Sequence, residues 1–349
     1  MASVIGWDIG GAHLKAVRVE GERVVAALQM ATPLWRGLEC LDAAFLDLSR
    51  QLGPSDRHVA TMTGELCDAF ASRRDGVVGL AAIAARHLGP GSPLLYAGPA
   101  GFVPLEAASE HAALIASANW RASAALVGAK LSDALLMDIG STTTDLIPIV
   151  AGKPAAIGYS DAERLAAGEL VYTGMARSFV MAMATRAPFA GQWTPLMNEY
   201  FASSADVHRI LDALPEEADK MASADGREKT AAASRARLAR MIGREADGSD
   251  DAGWERLAAW FAEAQLRDIV DAAMLRLSRG DVGRKAPVVI AGIGDKVAAE
   301  TARRLGRFCV NFTSLIDVSA EAAQGACQCA PAAALALLAA RAGGLIVDP

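Results

Sequence analysis

Cysteine is scarce in this chain, and its spacing builds neither a disulfide framework nor a zinc site. The 349 residues contain five cysteines, an odd number, and no pair of C-x-x-C motifs. Structural zinc sites usually take such pairs, and disulfides belong to oxidising compartments. We therefore expect reduced thiols in a cytoplasmic protein. The five residues are Cys40, Cys67, Cys309, Cys327 and Cys329.

A basic excess and long apolar runs are also missing. The formal net charge is -6, so positive charge does not favour binding to nucleic acid or to an anionic membrane. The most apolar stretch, Ala330–Ala340, is shorter than the roughly 20 residues that cross a bilayer, and it predicts a buried helix. No basic segment or cleavage site precedes the first strand, so we expect no signal peptide.

The most informative feature is an internal repeat. Val4–Gly11 is an apolar strand that ends in an aspartate and a glycine turn, and Ala134–Ser141 repeats this order 130 residues later. A second strand follows each turn. Such self-similarity is typical of duplicated supersecondary units. It predicts two lobes of like topology that face one cleft, which fits the two domains expected from the length.

The first turn has the residues of a phosphate site. Glycines let backbone N–H groups approach phosphate oxygens, an aspartate at a strand end can hold hydrated Mg²⁺, and a lysine supplies a positive charge. The candidates are Asp8 for metal and Gly10, Gly11, Ala12 and Lys15 for phosphate. The alternative is an ordinary hairpin with a buried aspartate.

The second and third turns extend the pattern. Hydroxyl groups follow a glycine in the second turn, with a carboxylate on either side, and the third turn lies between a strand and a helix. Threonines chosen for strand propensity and a glycine chosen for turn geometry are the alternatives. The candidates are Asp138 for metal, and Gly140, Ser141, Thr142, Thr143, Gly292 and Gly294 for phosphate.

Together, the three turns resemble those of the superfamily of actin, heat-shock chaperones and sugar kinases. The resemblance implies an α/β, actin-like (ribonuclease H-like), two-lobed ATPase fold with a mixed β-sheet in each lobe and a central cleft. It places a polar catalytic residue on the helix before the second turn, where this chain has Asn119. We expect lobes at 1–122 and 123–349, with a helical insertion at about 160–280. A C-terminal helix at about 330–340 would pack back toward the first lobe.

Shorter runs resemble a narrower group, the hydantoinase/oxoprolinase-like proteins linked to tetrahydromethanopterin-dependent C1 transfer. The resemblance implies a transferase of methylofuran synthesis. Such an enzyme joins an aminomethylfuran-methyl diphosphate to the phenol of tyramine, tyrosine or a γ-glutamyl derivative and releases diphosphate. The runs are Thr61–Leu66, Ala118–Trp120, Asp161–Leu165, Gly168–Gly174, Asn198–Ala202 and Ala224–Gly226.

This resemblance suggests roles for further residues. A phenol has a pKa of about 10, so the reaction needs a base, and diphosphate must be stabilised as it leaves. Asp145 is the first candidate for the base and His13 the second, although His13 would equally suit a packed or surface position. Glu169, Tyr172, Thr173 and Asp225 would bind substrate, whereas Asp225-Gly226 also reads as a plain turn.

Two other functions stay open. Many ATP-using relatives have a hydroxyl residue after the first glycines, where this chain has Ala12-His13, so ATP is a less certain cofactor than Mg²⁺. An ATP-dependent small-molecule kinase or ATPase, or a non-catalytic nucleotide-binding regulator, would use the same fold. We expect small-molecule partners, no nucleic acid and no membrane, and a homo-oligomer would fit.

Overall fold

The computed structural model describes residues 2–89, 93–246, 248 and 250–342. The strands are β1 (Ser3–Ile9), β2 (His13–Glu20), β3 (Arg23–Ala31), β4 (Arg57–Met62), β5 (Leu94–Tyr96), β6 (Phe102–Pro104), β7 (Ala134–Ile139), β8 (Thr144–Val150), β9 (Lys153–Pro154), β10 (Leu170–Val171), β11 (Arg186–Phe189), β12 (Gln192–Pro195), β13 (Val288–Gly292), β14 (Cys309–Asn311) and β15 (Asp317–Val318).

The α-helices are α1 (Glu39–Leu52), α2 (Arg73–His87), α3 (Ala112–Ile115), α4 (Asn119–Gly128), α5 (Asp161–Ala167), α6 (Val180–Met183), α7 (Ser204–Ile210), α8 (Ala231–Arg240), α9 (Asp251–Leu277), α10 (Asp295–Arg304), α11 (Ala323–Gln328) and α12 (Ala330–Arg341). Short 3-10 helices lie at Leu34–Arg36, Gly98–Ala100, Leu105–Ala108, Glu216–Ala218 and Phe312–Leu315.

The first sheet has seven strands in the order β15-β3-β2-β1-β4-β5-β6. Strand β1 runs antiparallel to β2 and parallel to β4, so the sheet is mixed, and every residue of β1 is buried. A central strand with both faces covered reads as a continuous apolar run. On one face Trp7 packs against Phe45 of α1, with ring centroids 5.0 Å apart.

Helix α12 covers the other face of β1. It comes so close that a Cβ added at Gly6 would collide with the carbonyl oxygen of Ala332, so glycine is required there. The small alanine side chains of α12 permit the approach, and nearly all of them are buried. The predicted buried helix is thereby confirmed. Across the described ranges, no helix combines the length and the apolar character that a membrane span requires.

The second sheet has the strand order β10-β8-β7-β13-β14, with β9 paired to β8. Its strand β7 is apolar and almost wholly buried, like β1. Helices α7, α8 and α9 and the hairpin β11–β12 then pack around a core of their own. Among the residues of this core are Val207, Leu238 and Phe261.

The chain divides into two compact units. The first contains the described residues through Leu136, Ile147–Arg164 and the described residues from Val310 onward. The second contains Met137–Leu146 and Leu165–Cys309. The predicted second lobe also contained 123–136, 147–164 and 310–342, so this division differs from a single boundary at residue 122. The difference arises because the first unit extends to Leu136 and the chain then returns to it twice.

Candidate functional site

The first glycine turn lies in the first unit, between β1 and β2. The backbone N–H of Gly10 donates to the carbonyl oxygen of His13 at 2.9 Å and closes the turn. Asp8 stands directly across from Lys15 on β2 and from Thr61 on β4. Paired residues of neighbouring strands point to the same face. The turn therefore has a carboxylate, an ammonium and a hydroxyl group in one row at the end of the sheet.

Ala12 and His13 of this turn are buried, and so is Asp8. His13 is the first residue of β2 and lies opposite Ala31 of β3. The hydroxyl of Thr61 is buried and has no hydrogen-bond partner among the residues that the structure describes. A buried polar group of this kind usually meets a water or a ligand. The role of His13 as a base stays a prediction.

A second segment packs on the first turn. The backbone N–H groups of Thr63 and Gly64 both donate to the carbonyl oxygen of Ile9 at 3.0 Å. A Cβ at Gly64 would lie 3.2 Å from the backbone of Gly10 and of Gly11. The next residue, Glu65, is therefore held beside the turn, with its side chain fully buried.

Glu65 belongs to a polar cluster of the first unit. Its Oε1 accepts a hydrogen bond from the Ser117 hydroxyl at 2.9 Å and lies 3.8 Å from Nε of Arg73. The same hydroxyl is 3.1 Å from Oδ2 of Asp161, which Arg73 also contacts. A hydroxyl has one proton to donate, so it can serve only one of the two carboxylates. If Glu65 carries a proton, it can donate to the Ser117 hydroxyl, and that hydroxyl can then donate to Asp161. Burial raises the pKa of Glu65 to about 7.

Asn119 lies close in sequence to this cluster, as the first residue of α4. Its side-chain oxygen accepts a hydrogen bond from the backbone N–H of Trp120 at 2.7 Å. The apolar helical pattern of 112–127 is divided between α3 and α4, because Ser117 between them has a φ of 53°. A positive φ is costly for a residue with a side chain. The break brings the Ser117 hydroxyl to Glu65, and the catalytic role of Asn119 stays a prediction.

The second glycine turn lies in the second unit, between β7 and β8. The N–H of Gly140 donates to the carbonyl oxygen of Thr143 at 2.9 Å, which repeats the closure of the first turn. Arg177 binds this turn twice. Its backbone N–H donates to the Ser141 carbonyl oxygen at 2.8 Å, and its Nη1 donates to the Thr142 hydroxyl at 3.2 Å. The turn thus combines hydroxyl groups with a guanidinium.

The third turn joins the second. The N–H groups of Ile293 and Gly294 donate to the carbonyl oxygen of Ile139 at 2.8 and 3.1 Å. Gly292 has a φ of 87°, and a Cβ there would lie 2.5 Å from Oδ1 of Asp138. Glycine at this position therefore leaves room beside the Asp138 carboxylate, where α10 begins. The structure brings together Asp138, Gly140–Thr143, Gly292 and Gly294.

The donors of both turns suit Mg²⁺. This ion keeps several waters and takes one or two carboxylates together with phosphate oxygens. Asp8 is paired with Thr61 on the neighbouring strand, which places a hydroxyl group beside it. Gly292 has no Cβ, so it does not crowd the Asp138 carboxylate. Within the described ranges, no cluster of three or more His, Cys, Asp or Glu residues could hold a metal by itself. A single carboxylate with phosphate and water ligands is therefore the kind of site that fits.

Two predicted substrate residues are tied into the interior of the second unit. Glu169 is fully buried and pairs with Arg276 of α9, with Oε1 3.3 Å from Nε. Thr173 accepts a hydrogen bond from Nε2 of Gln265 at 2.8 Å and donates to Ser178 at 3.2 Å. Both side chains therefore tie the segment on either side of β10 to α9. Their role as substrate contacts stays a prediction.

The remaining predicted residues have different surroundings. Oδ1 of Asp225 lies 3.0 Å from Arg237, and Oδ2 lies 3.2 Å from Arg240. Burial opposes ionisation of Asp225, but the backbone of Arg227 and these guanidinium groups outweigh it and lower the pKa. Two arginines therefore compete with any substrate ammonium. Asp145 lies half-buried on β8, opposite Leu170, and Tyr172 is 70% exposed.

Sequence reasoning missed two residues that carry chemistry. Glu65 was part of a run noted only for its family resemblance, and Arg177 follows three residues after the Gly168–Gly174 run. The signal for Glu65 was its position: it is an acidic residue that directly follows a strand and a glycine. For Arg177, the signal was a lone arginine close to a run already linked to substrate binding.

The chain matches the profile of the hydantoinase/oxoprolinase family over residues 57–341. It is 29% identical over 322 residues to the (4-{4-[2-(γ-L-glutamylamino)ethyl]phenoxymethyl}furan-2-yl)methanamine synthase of Methanocaldococcus jannaschii, covering 90% of this chain and 93% of that protein. A protein of the same name from Methanococcus vannielii is 43% identical over 82 residues, covering 24% of this chain and 36% of that protein. The resemblance read from the sequence is confirmed.

Among solved structures, nucleotide-free acetone carboxylase superposes with a TM-score of 0.57 at 12% identity, covering 95% of this chain and 70% of that chain. At that identity the likeness shows the fold alone. The predicted fold class, an actin-like α/β fold with mixed sheets, is confirmed.

Proposed function

The chain belongs to the hydantoinase/oxoprolinase family, and we propose that it is a transferase of methylofuran synthesis. It would condense an aminomethylfuran-methyl diphosphate with the phenol of tyramine, tyrosine or a γ-glutamyl derivative. The observation that carries the proposal is the match to the Methanocaldococcus jannaschii synthase over nearly the full length of both proteins. The name of that relative describes a phenoxymethylfuran, which contains an ether between a phenol oxygen and a furan-methyl carbon.

The proposed reaction forms this ether by displacement. The phenol oxygen bonds to the furan-methyl carbon, the bond from that carbon to diphosphate breaks, and diphosphate leaves with the electron pair. The phenolic proton passes to a base. A phenol with a pKa of about 10 is mostly protonated at neutral pH, so proton removal and stabilisation of the leaving group are the two tasks of the protein.

Stabilisation of the leaving group is supported by the donors of the turns. In the second unit these are the backbone of Gly140–Thr143, the hydroxyl groups and the Arg177 guanidinium. In the first unit they are the Gly10-Gly11 backbone and Lys15. Asp8 in the first unit and Asp138 in the second are each proposed to hold Mg²⁺, which would neutralise charge on phosphate oxygens when bound.

Asp145 is our proposed base. It lies on β8, in the same unit as Asp138 and the second turn, and it is only half-buried, so a substrate can approach it. His13 is the second candidate, since an imidazole titrates near neutrality.

A thermal-shift titration tests the proposal against its closest rival. We expect Mg²⁺ with diphosphate to raise the melting temperature, because a ligand that binds only the folded state stabilises it by mass action. Asp138→Asn should lose this response. A large response to Mg²⁺ with ATP and none to diphosphate would instead favour an ATP-dependent kinase or ATPase.

A further inference from the structure

Two aromatic side chains of the second unit are exposed and paired. Phe179 is 41% exposed and Tyr200 is 45% exposed, and their ring centroids are 4.4 Å apart. Single exposed apolar residues are ordinary, but a packed pair beside a polar site is typical of ligand binding. Phe179 and Tyr200 are called the ring pair below.

The backbone holds the ring pair in place. Phe179 forms an isolated antiparallel bridge with Ser203, and the N–H of Val180 donates to the carbonyl oxygen of Ala202 at 3.1 Å. The N–H of Ser178 also donates to the Ser204 hydroxyl at 3.1 Å. The backbone at Phe179 is thus fixed, and the segment that carries Tyr200 enters the same short ladder two residues later, at Ala202. A binding surface that is already ordered loses little conformational entropy when a ligand arrives.

A guanidinium lies next to the ring pair along the chain. Arg177 is two residues before Phe179 and donates to the Thr142 hydroxyl of the second turn. Burial lowers the pKa of Arg177, while the phenol groups of Tyr172 and Tyr200 act on it in the opposite direction. The guanidinium that contacts the second turn and the ring pair therefore belong to one stretch of the second unit.

We propose that Arg177 and the ring pair form a binding site for an aromatic ring that carries a diphosphate one carbon away. The guanidinium and the second turn would receive the diphosphate, and the ring pair would receive the ring. That the ring is a furan rests on the proposed function. That the ligand combines an aromatic ring with a diphosphate rests on the residues of the site. Guanidinium groups suit phosphate oxygens, and aromatic rings prefer offset or tilted partners.

The short spacing sets this ligand apart from a nucleotide. ADP also carries a diphosphate and an aromatic base, but a ribose separates them. A furan-methyl diphosphate has its ring on the carbon that bears the leaving group. Because Phe179 follows Arg177 by only two residues, we expect the site to favour the compact arrangement.

Calorimetric titration of the full chain with Mg²⁺ tests the site without any turnover. The probes are furfuryl diphosphate, methyl diphosphate and ADP. We expect furfuryl diphosphate to bind about tenfold more tightly than methyl diphosphate, because only the former can stack on the ring pair. It should also bind more tightly than ADP. Arg177→Gln should weaken binding of both small diphosphates by about tenfold or more.

The ring variants isolate the aromatic contribution. Phe179→Leu and Tyr200→Leu keep apolar volume but remove a ring, and each should reduce the preference for furfuryl over methyl diphosphate to about threefold or less. Tyr200→Phe restores the ring and should restore the preference. Retention of the full preference in both leucine variants would overturn the proposal, as would unchanged affinities in Arg177→Gln.

A similar pair elsewhere in the same unit is the matched control. On the hairpin β11–β12, the Arg186 guanidinium lies 4.6 Å from the Trp193 ring centroid, and Trp193 is also exposed. Arg186→Gln and Trp193→Leu should leave all three affinities unchanged. If the preference follows the ring pair but no ether forms with tyramine, the proposed function fails and the site stands. If ether forms and the ring variants keep the preference, the site fails and the function stands.

Discussion

Asp8 and Asp138 are each the second-to-last residue of a strand. Their proposed task is to hold Mg²⁺, so we expect Asp8→Asn and Asp138→Asn to reduce kcat by about a hundredfold or more. Loss of one carboxylate charge should change the free energy of unfolding by only about 1 kcal/mol. Steady-state rates and urea unfolding of each variant check this prediction.

The control for this pair is Asp133, which precedes β7 at its opposite end and accepts a hydrogen bond from the N–H of Ala151 at 3.3 Å. Asp133→Asn should leave kcat within about twofold, because a half-buried group at the opposite end of the strand makes no metal contact. Unchanged turnover in Asp8→Asn and Asp138→Asn would remove the metal assignment.

The buried carboxyl of Glu65 should make stability depend on pH. Burial raises its pKa from 4.5 to about 7, so the folded chain holds a proton that the unfolded chain has released between these values. This contribution to stability is complete below pH 4.5 and is lost as the pH rises through about 7. Its size is on the order of 3 kcal/mol. Arg73 at 3.8 Å favours the charged form and Asp161 opposes it.

Glu65→Gln removes this titration while it keeps the shape of the side chain. We expect the stability of the wild type, relative to the variant, to fall by about 3 kcal/mol between pH 4 and pH 8. Urea unfolding at several pH values measures the difference, since all other groups are common to both proteins. A difference that does not change with pH would show that Glu65 holds no proton in the folded state.

Glu65 also shows why single residues of the site could not be predicted from the sequence. Its hydrogen-bond partner Ser117 is 52 residues away, and the contact depends on the positive φ of that serine. Local pattern contains neither fact. By contrast, the glycines of the three turns were found because a strand, an acid and a glycine follow one another directly.

At the scale of elements, the strands around the turns were predicted within about two residues of their observed bounds. The apolar runs of β1, β7 and β13 end in glycine, and both signals act locally. The helical pattern of 112–127 does not reveal that α3 ends at Ile115 and that α4 begins at Asn119. The hairpin at 186–195 was not predicted. Both depend on tertiary contacts that override local propensity.

The contact between the second and third turns predicts that a substitution of Gly292 lowers stability. An alanine there must adopt a φ of 87° and would collide with the carbonyl oxygen of Ile139. Strain of the backbone costs about 1–2 kcal/mol, and the collision should add about 1–3 kcal/mol. Urea unfolding of Gly292→Ala measures the sum. Because the Cβ also reaches Asp138, activity should fall further than stability alone explains.

Gly280→Ala is the matched control for Gly292→Ala. Gly280 has a similar φ of 73°, but no atom lies within 4 Å of an added Cβ. It should lose only the backbone term of about 1–2 kcal/mol and keep full activity. Equal losses in the two variants would mean that the turns are not packed against each other as described.

At the scale of the whole molecule, the internal repeat was enough to predict two related sheets. The division of the chain was harder to predict, because Ile147–Arg164 and the described residues from Val310 onward rejoin the first unit. Such returns depend on long-range packing that no local pattern contains. For α12, apolar composition predicted burial, and the packing toward the first lobe was implied by the superfamily resemblance.

The most direct measurement of the central claim is ether formation by the purified chain. Aminomethylfuran-methyl diphosphate, tyramine and Mg²⁺ are mixed, and the ether product and diphosphate are followed by mass spectrometry and a phosphate assay. The proposed transferase forms one ether for each diphosphate released, with no need for ATP, and releases little diphosphate when tyramine is omitted. ATP hydrolysis without ether formation, under the same conditions, would contradict the account.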